Sequence, residues 1–120
     1  MKPNLGIGID AVDLASFKRR MQDNFIDRIL SEKERAVYDA LNHPQRKLEY
    51  AAGRFAVKEA YVKAVKKVGK GLNFKDISVL NDTNGAPYLL VPSQSASIID
   101  ISITHTEYTV IAIVLMDKEA

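Results

Sequence analysis

Residues 45–68, QRKLEYAAGRFAVKEAYVKAVKKV, hold no proline and are rich in alanine and lysine. Those residue types favour helix. The stretch therefore predicts one long helix from about Gln45 to Val68, entered after Asn42-His43-Pro44 and stopped at Gly69. A rod of roughly 35 Å needs a broad surface to cover its apolar side chains, so everything else in the chain has to be read as its partner.

With Phe55 at zero and about 100° per residue, Val62, Leu48 and Ala52 fall at roughly −20°, +20° and +60° and define an apolar stripe. Glu59 falls inside that stripe and Lys63 at its edge. The two stand four apart in the order that favours a helical ion pair, and a carboxylate placed among apolar side chains needs a partner or a metal. Two readings are open: a structural buried pair, or a site in which Glu59 meets a cation and Lys63 an anion.

The remaining segments look like short helices and sheet. Leu5, Ile7 and Ile9 alternate with Gly6, Gly8 and Asp10, a period-two strand. A helix begins at about Asp13 and runs to Arg20. Ser31 and Glu34 have capping-box spacing, which predicts a second helix from there to Leu41. Ile77–Leu80 and Tyr88–Val91 flank Asp82-Thr83-Asn84-Gly85, a hairpin signal. Residues 99–105 alternate cleanly, and Thr109–Leu115 is a further apolar strand. One strand, then helices, then four strands predicts an α+β fold of helices packed on a largely antiparallel sheet, in a single domain over residues 1–120.

The chain is 47% hydrophobic and 27% charged, with a formal net charge of +2. That is the balance of a globular chain, and the charge is too small to suggest nucleic-acid binding. No apolar run is long enough to cross a bilayer. Without cysteine, disulfides and thiolate metal sites are excluded, and a cytoplasmic protein is the simplest reading. Basic residues nonetheless cluster at Lys18-Arg19-Arg20, at Arg46-Lys47, and at Lys63, Lys66, Lys67 and Lys70. Such clusters are either solvated surface or the mark of an anionic ligand or acidic partner.

Asp10 is expected to end its strand. Gly6 and Gly8 beside it either mark a bulge or clear space for something to approach the backbone. Asp10 is the second carboxylate that would make a divalent-ion site with Glu59, since Mg²⁺ is commonly held by one or two carboxylates with water and phosphate oxygens. By alternation His105 points with Ile101 and Ile103, as a core histidine would. Its place between Thr104 and Thr106 at a strand end also suits a polar site able to bind phosphate and move a proton. Taken together, two acids, several basic groups and a histidine describe phosphoryl chemistry.

The segments GIGIDAVDL (6–14), RILSEKE (28–34), AAGRFAVKEAYVKA (51–64), NGAPYL (84–89) and SITHTEYTVIA (102–112) resemble the small, single-domain class of 4′-phosphopantetheinyl transferases, the holo-[acyl-carrier-protein] synthases. The resemblance covers nearly the whole chain, with the motifs in family order. It implies an Mg²⁺-dependent transfer of 4′-phosphopantetheine from coenzyme A to a serine of apo acyl carrier protein, leaving adenosine 3′,5′-bisphosphate, in support of fatty acid biosynthesis. It implies that Asp10 and Glu59 are metal ligands, that Lys63 stands near the pyrophosphate, and that His105 and Thr104 belong to the last coenzyme A motif. Arg46 and Arg54 match basic positions associated with coenzyme A. Glu59 is also a candidate base for the acceptor serine. The family implies a homotrimer with sites between subunits, His105 coming from a neighbour and Ile99, Ile101, Ile103, Val110, Ala112 and Val114 packing partly between chains.

The chain departs from the family pattern at Ser16, where an arginine that docks the acidic carrier is common, in a segment about two residues short. Lys18, Arg19 and Arg20 are expected to supply that charge. The loop Lys66–Gly71 is richer in lysine than the family's. Competing readings are an Mg²⁺-dependent phosphohydrolase, which needs no protein acceptor, a non-catalytic binding module, and an RNA-binding protein.

Overall fold

The computed structural model of the chain describes residues 4–65, 73–92 and 98–118, without the side chains of Asp23 and Ile99. The expected helix end at Gly69 and the lysines and glycines of Lys66–Gly71 lie outside the described residues. Along the chain run β1 (Leu5–Asp13), α1 (Leu14–Arg20), α2 (Asp23–Ile29), α3 (Glu32–Ala40) and α4 (Pro44–Val65). A 3₁₀ turn at Phe74–Asp76 follows, then β2 (Ser78–Asn81), β3 (Pro87–Leu90), β4 (Ile98–His105) and β5 (Thr109–Asp117). Two antiparallel sheets form, one in the order β1-β5-β4 and the other the β2-β3 hairpin. The architecture is α+β, as expected, with the strands divided between two sheets.

Local chemistry explains most element ends. Asp13 caps α1 by accepting from the Ser16 N–H at 2.9 Å. Ser31 and Glu34 form the reciprocal capping box of α3, at 3.2 and 2.9 Å. Proline, which needs no N–H in the first turn, opens α4. In the hairpin Gly85 takes φ +85°, and the Asp82 carboxylate accepts from the N–H groups of Asn84 and Ala86.

α2 has no counterpart in the sequence reading. It is short and has no side-chain N-cap bond; it exists because Phe25, Ile26 and Ile29 are buried in the core.

α4 lies across β1 and β5, with α1, α2, α3 and β2 around its other sides. It is therefore buried on most of its circumference, at Leu48, Ala51, Ala52, Ala56, Val57, Ala60, Tyr61 and Ala64, and a single apolar stripe does not describe it. Phe55 and Val62, which anchor the expected stripe, are only half-buried.

β1 corrects one expectation and decides between two others. The strand continues past Asp10 to Asp13, and Asp10 pairs with Ala112 within it. Gly6 and Gly8 face α4, where a Cβ on Gly8 would lie 1.8 Å from the Ala60 carbonyl oxygen and one on Gly6 2.5 Å from that of Ala64. What the glycines admit is the backbone of α4. Ile7 and Ile9 point the other way, at 65% and 55% exposure.

The expected intersubunit residues are corrected likewise. Ile101, Val110, Ala112 and Val114 are buried, and Ile103 packs against the same core; the Ile99 side chain lies outside the described residues. Among the described residues, the large apolar side chains left exposed on this sheet are Leu5, Ile7, Ile9 and Ile113, on its outer face.

Candidate active site

The close approach of α4 to β1 brings the site together. Two glycines let the last turns of α4 settle onto the strand, so that Glu59 and Lys63 face Asp10, the next inward residue of β1. Lys63 Nζ donates to Asp10 Oδ1 at 3.1 Å and to the Ile9 carbonyl at 3.0 Å. Lys63, which the spacing would also allow to pair with Glu59 along the helix, thus reaches across to the strand.

Glu59 is half-buried. Burial raises its pKa, the neighbouring Asp10 carboxylate raises it further, and Lys63 and Arg20 act in the opposite direction. Asp10 and Glu59 open into a cleft of about 340 Å³ whose walls also include Ser16, Phe17, Arg20 and Phe55. Among the described residues no group of three or more His, Cys, Asp or Glu is arranged for a metal. Two carboxylates, one of them held above its usual pKa by burial and like charge, fit a hard cation that completes its shell with water and phosphate oxygens.

The other expected site residues are elsewhere in the chain. His105 is exposed, with Nδ1 3.4 Å from the Thr106 carbonyl oxygen. It pairs with Val110, which pairs in turn with Val12, so it stands two strands from β1 on the helix-facing side. Thr104 alternates to the opposite face. Arg46 is exposed near the start of α4. Arg54 donates to the Val79 carbonyl at 3.3 Å and to Asn81 Oδ1 at 2.5 Å, and stacks 4.1 Å from the Tyr50 ring. Lys18 lines a separate groove with Glu107 and Tyr108, Arg19 donates to Ser16 Oγ, and Arg20 turns into the cleft.

The charge that α4 does bury is Lys58, the residue before Glu59. It is fully enclosed and donates to Glu34 Oε1 at 2.5 Å, to the Ile29 carbonyl at 2.6 Å and to the Phe74 carbonyl at 2.9 Å. Glu34 also accepts from the N–H groups of Ser31 and Val79. The capping-box spacing of Ser31 and Glu34 was a signal for this network; that its carboxylate is buried and paired with Lys58 required the tertiary structure.

A family profile for the 4′-phosphopantetheinyl transferase superfamily matches residues 6–114. The chain is 46% identical over 113 residues to the holo-[acyl-carrier-protein] synthase of Acholeplasma laidlawii, covering 94% of this chain and 96% of that one. It is 44% identical over 117 residues to that of a Geobacillus strain, covering 95% and 97%. The crystal structure of a holo-(acyl-carrier-protein) synthase from Bacillus anthracis in complex with CoA (3′,5′-ADP) superposes with a TM-score of 0.83 at 42% identity, covering 93% of this chain and 95% of that one. The coenzyme A complex of the Helicobacter pylori synthase gives 0.75 at 32% identity, covering 90% and 96%. With the family's length, fold and motifs all matched, the chain belongs to the 4′-phosphopantetheinyl transferase superfamily.

Proposed function

We propose that this protein transfers the 4′-phosphopantetheine group of coenzyme A to a serine hydroxyl of apo acyl carrier protein, in support of fatty acid synthesis. The observation that carries the reading is Asp10 and Glu59 in one cleft, with Lys63 bonded to Asp10, in a member of this family. In the reaction the serine oxygen bonds to the phosphorus bearing the pantetheine arm. The bond from that phosphorus to the bridging oxygen breaks, and adenosine 3′,5′-bisphosphate leaves. The serine proton passes to Glu59, directly or through water.

Asp10 and Glu59 are the residues that would hold Mg²⁺, which when bound neutralises charge on the diphosphate. Lys63 opposes the remaining negative charge as the bisphosphate departs. Arg46 is assigned to the 3′-phosphate, Arg54, Thr104 and His105 to further coenzyme contacts, and Lys18 and Arg19 to the acidic carrier.

We read the assembly as a homotrimer. In its favour are the exposed outer sheet face of Leu5, Ile7, Ile9 and Ile113 and the distance of His105 from the cleft of its own chain, which a neighbour's His105 would remedy. Among the described residues no helix is long and apolar enough to cross a membrane, and the cysteine-free sequence goes with a cytoplasmic site of action.

Intact-protein mass spectrometry of apo carrier incubated with this protein, coenzyme A and Mg²⁺ tests the activity. A single phosphopantetheine adduct is expected, absent with EDTA and absent when the acceptor serine is replaced. A folded protein that binds coenzyme A yet modifies no carrier would overturn it.

A further inference from the structure

We propose that Arg20 is a ligand for the diphosphate of the donor inside the cleft, and not part of the outer surface that docks the carrier. This rests on the transferase reading and adds a residue to it.

Arg20 closes α1, and its side chain forms part of the wall of the cleft that contains Asp10 and Glu59. Its guanidinium lies 4.5 Å from the centre of the Phe25 ring and 5.7 Å from that of Phe55. The rings hold the guanidinium by cation–π attraction and leave its N–H groups unspent. Other arginines use theirs within the protein: Arg19 on Ser16, Arg35 on Asp27 and Asp39, Arg54 on Val79 and Asn81. Among the described residues Arg20 has no carboxylate partner. It is a positioned cation whose hydrogen-bonding capacity is available to an anion.

Charge balance points to the same ligand. Two ionised carboxylates neutralise one divalent ion, and a bound diphosphate then adds at least two negative charges. Lys63 already donates to Asp10 and Ile9, so a second cation at the cleft is called for. The planar guanidinium, with paired N–H groups, suits phosphate oxygens better than a point charge does. The sequence placed Arg20 with Lys18 and Arg19 because the three are adjacent; the structure separates them.

The test is calorimetric binding of coenzyme A to the full chain with Mg²⁺ and no carrier present. Thermal melts of each variant confirm folding. Arg20→Gln, and Arg20→Met, which keeps apolar cover on the rings, are expected to weaken coenzyme A by roughly ten- to a hundredfold, the worth of a charged hydrogen bond. Arg20→Lys should recover part of the loss. Lys33→Gln, exposed on α3 and outside the cleft wall, should bind like the wild type. Adenosine 3′,5′-bisphosphate, which lacks the phosphate that carries the pantetheine arm, should be weakened less than coenzyme A. If Arg20→Gln binds coenzyme A as tightly as the wild type, while its KM for carrier rises and the salt dependence of carrier association flattens, Arg20 is a docking residue and the proposal is overturned. If the wild type itself fails to bind coenzyme A, the transferase reading falls, and this assignment with it.

Discussion

Gly8 lies directly beneath Ala60: a Cβ at Gly8 would come within 1.8 Å of the Ala60 carbonyl oxygen and 2.8 Å of its carbon. Backbone stands against backbone there, so no side-chain rotation relieves the clash. This contact sets how closely α4 approaches β1, and hence where Glu59 stands relative to Asp10.

Gly8→Ala is therefore expected to force α4 off the sheet, with a stability loss at or above the ~1–3 kcal/mol of ordinary overpacking, and to abolish transfer. Gly53→Ala is the control. Its Cβ would meet only Ile103 and Val110, at 3.9 and 4.0 Å, and replacing a glycine inside a helix should add about 0.5–1 kcal/mol. Urea unfolding of both variants checks the contrast; equal effects would remove the close contact as the cause.

Lys58→Met leaves the Glu34 carboxylate enclosed without its ammonium partner and is expected to cost about 3–5 kcal/mol, the usual result of breaking a buried pair from one side. Adding Glu34→Gln should recover part of that loss, because the amide oxygen still accepts a backbone N–H. Denaturant curves of the single and double variants give the coupling energy. Additive losses would mean that the two charges do not stabilise each other.

Glu59 gives a pH dependence whose sign follows from its raised pKa. The folded chain holds the Glu59 proton more tightly than the unfolded chain does. In the window between the ordinary carboxyl pKa and the raised one, its contribution therefore falls as pH rises. Without Mg²⁺, Glu59→Gln should melt above the wild type on the high-pH side of that window, with the gap closing as pH falls through it. Saturating Mg²⁺ should stabilise the wild type and leave the variant behind. A gap independent of both pH and Mg²⁺ would show that ionisation of Glu59 is not its source.

Ile7→Glu and Ile9→Glu place charges on the exposed outer sheet face. The expectation is a shift from trimer to monomer in light scattering coupled to size exclusion, with activity falling in step and secondary structure kept. A wild type that runs as a monomer, or variants that remain trimeric, would refute the assignment of that face.

Much of this was legible in the sequence. The Ser31–Glu34 spacing, the Asn84-Gly85 turn and the alternation of β4 and β5 each rest on chemistry within a few residues, and each element formed close to where it was expected. Asp10, Glu59 and Lys63 were legible as charges in need of partners; the structure puts Asp10 and Glu59 in one cleft and Lys63 on Asp10. α2 was not legible, because seven residues hold too few turns to show a period and form only against the core.

By itself the sequence determined the types of element, their order, the local caps and turns, and which ionisable residues needed partners. It could not say which face of β1 would be covered. Alternation distinguishes two faces, but here one was isoleucine and the other glycine, and hydropathy favours burying the isoleucines. The tertiary structure chose the glycine face, because only a surface without side chains lets a helix backbone come that close. The same packing decided that Lys58 is buried with Glu34, that Lys63 reaches Asp10 on another element, and that Arg20 turns into the cleft while its neighbours do not. Those are relations between elements distant in sequence, set by how closely backbones can meet and by where enclosed charges find partners.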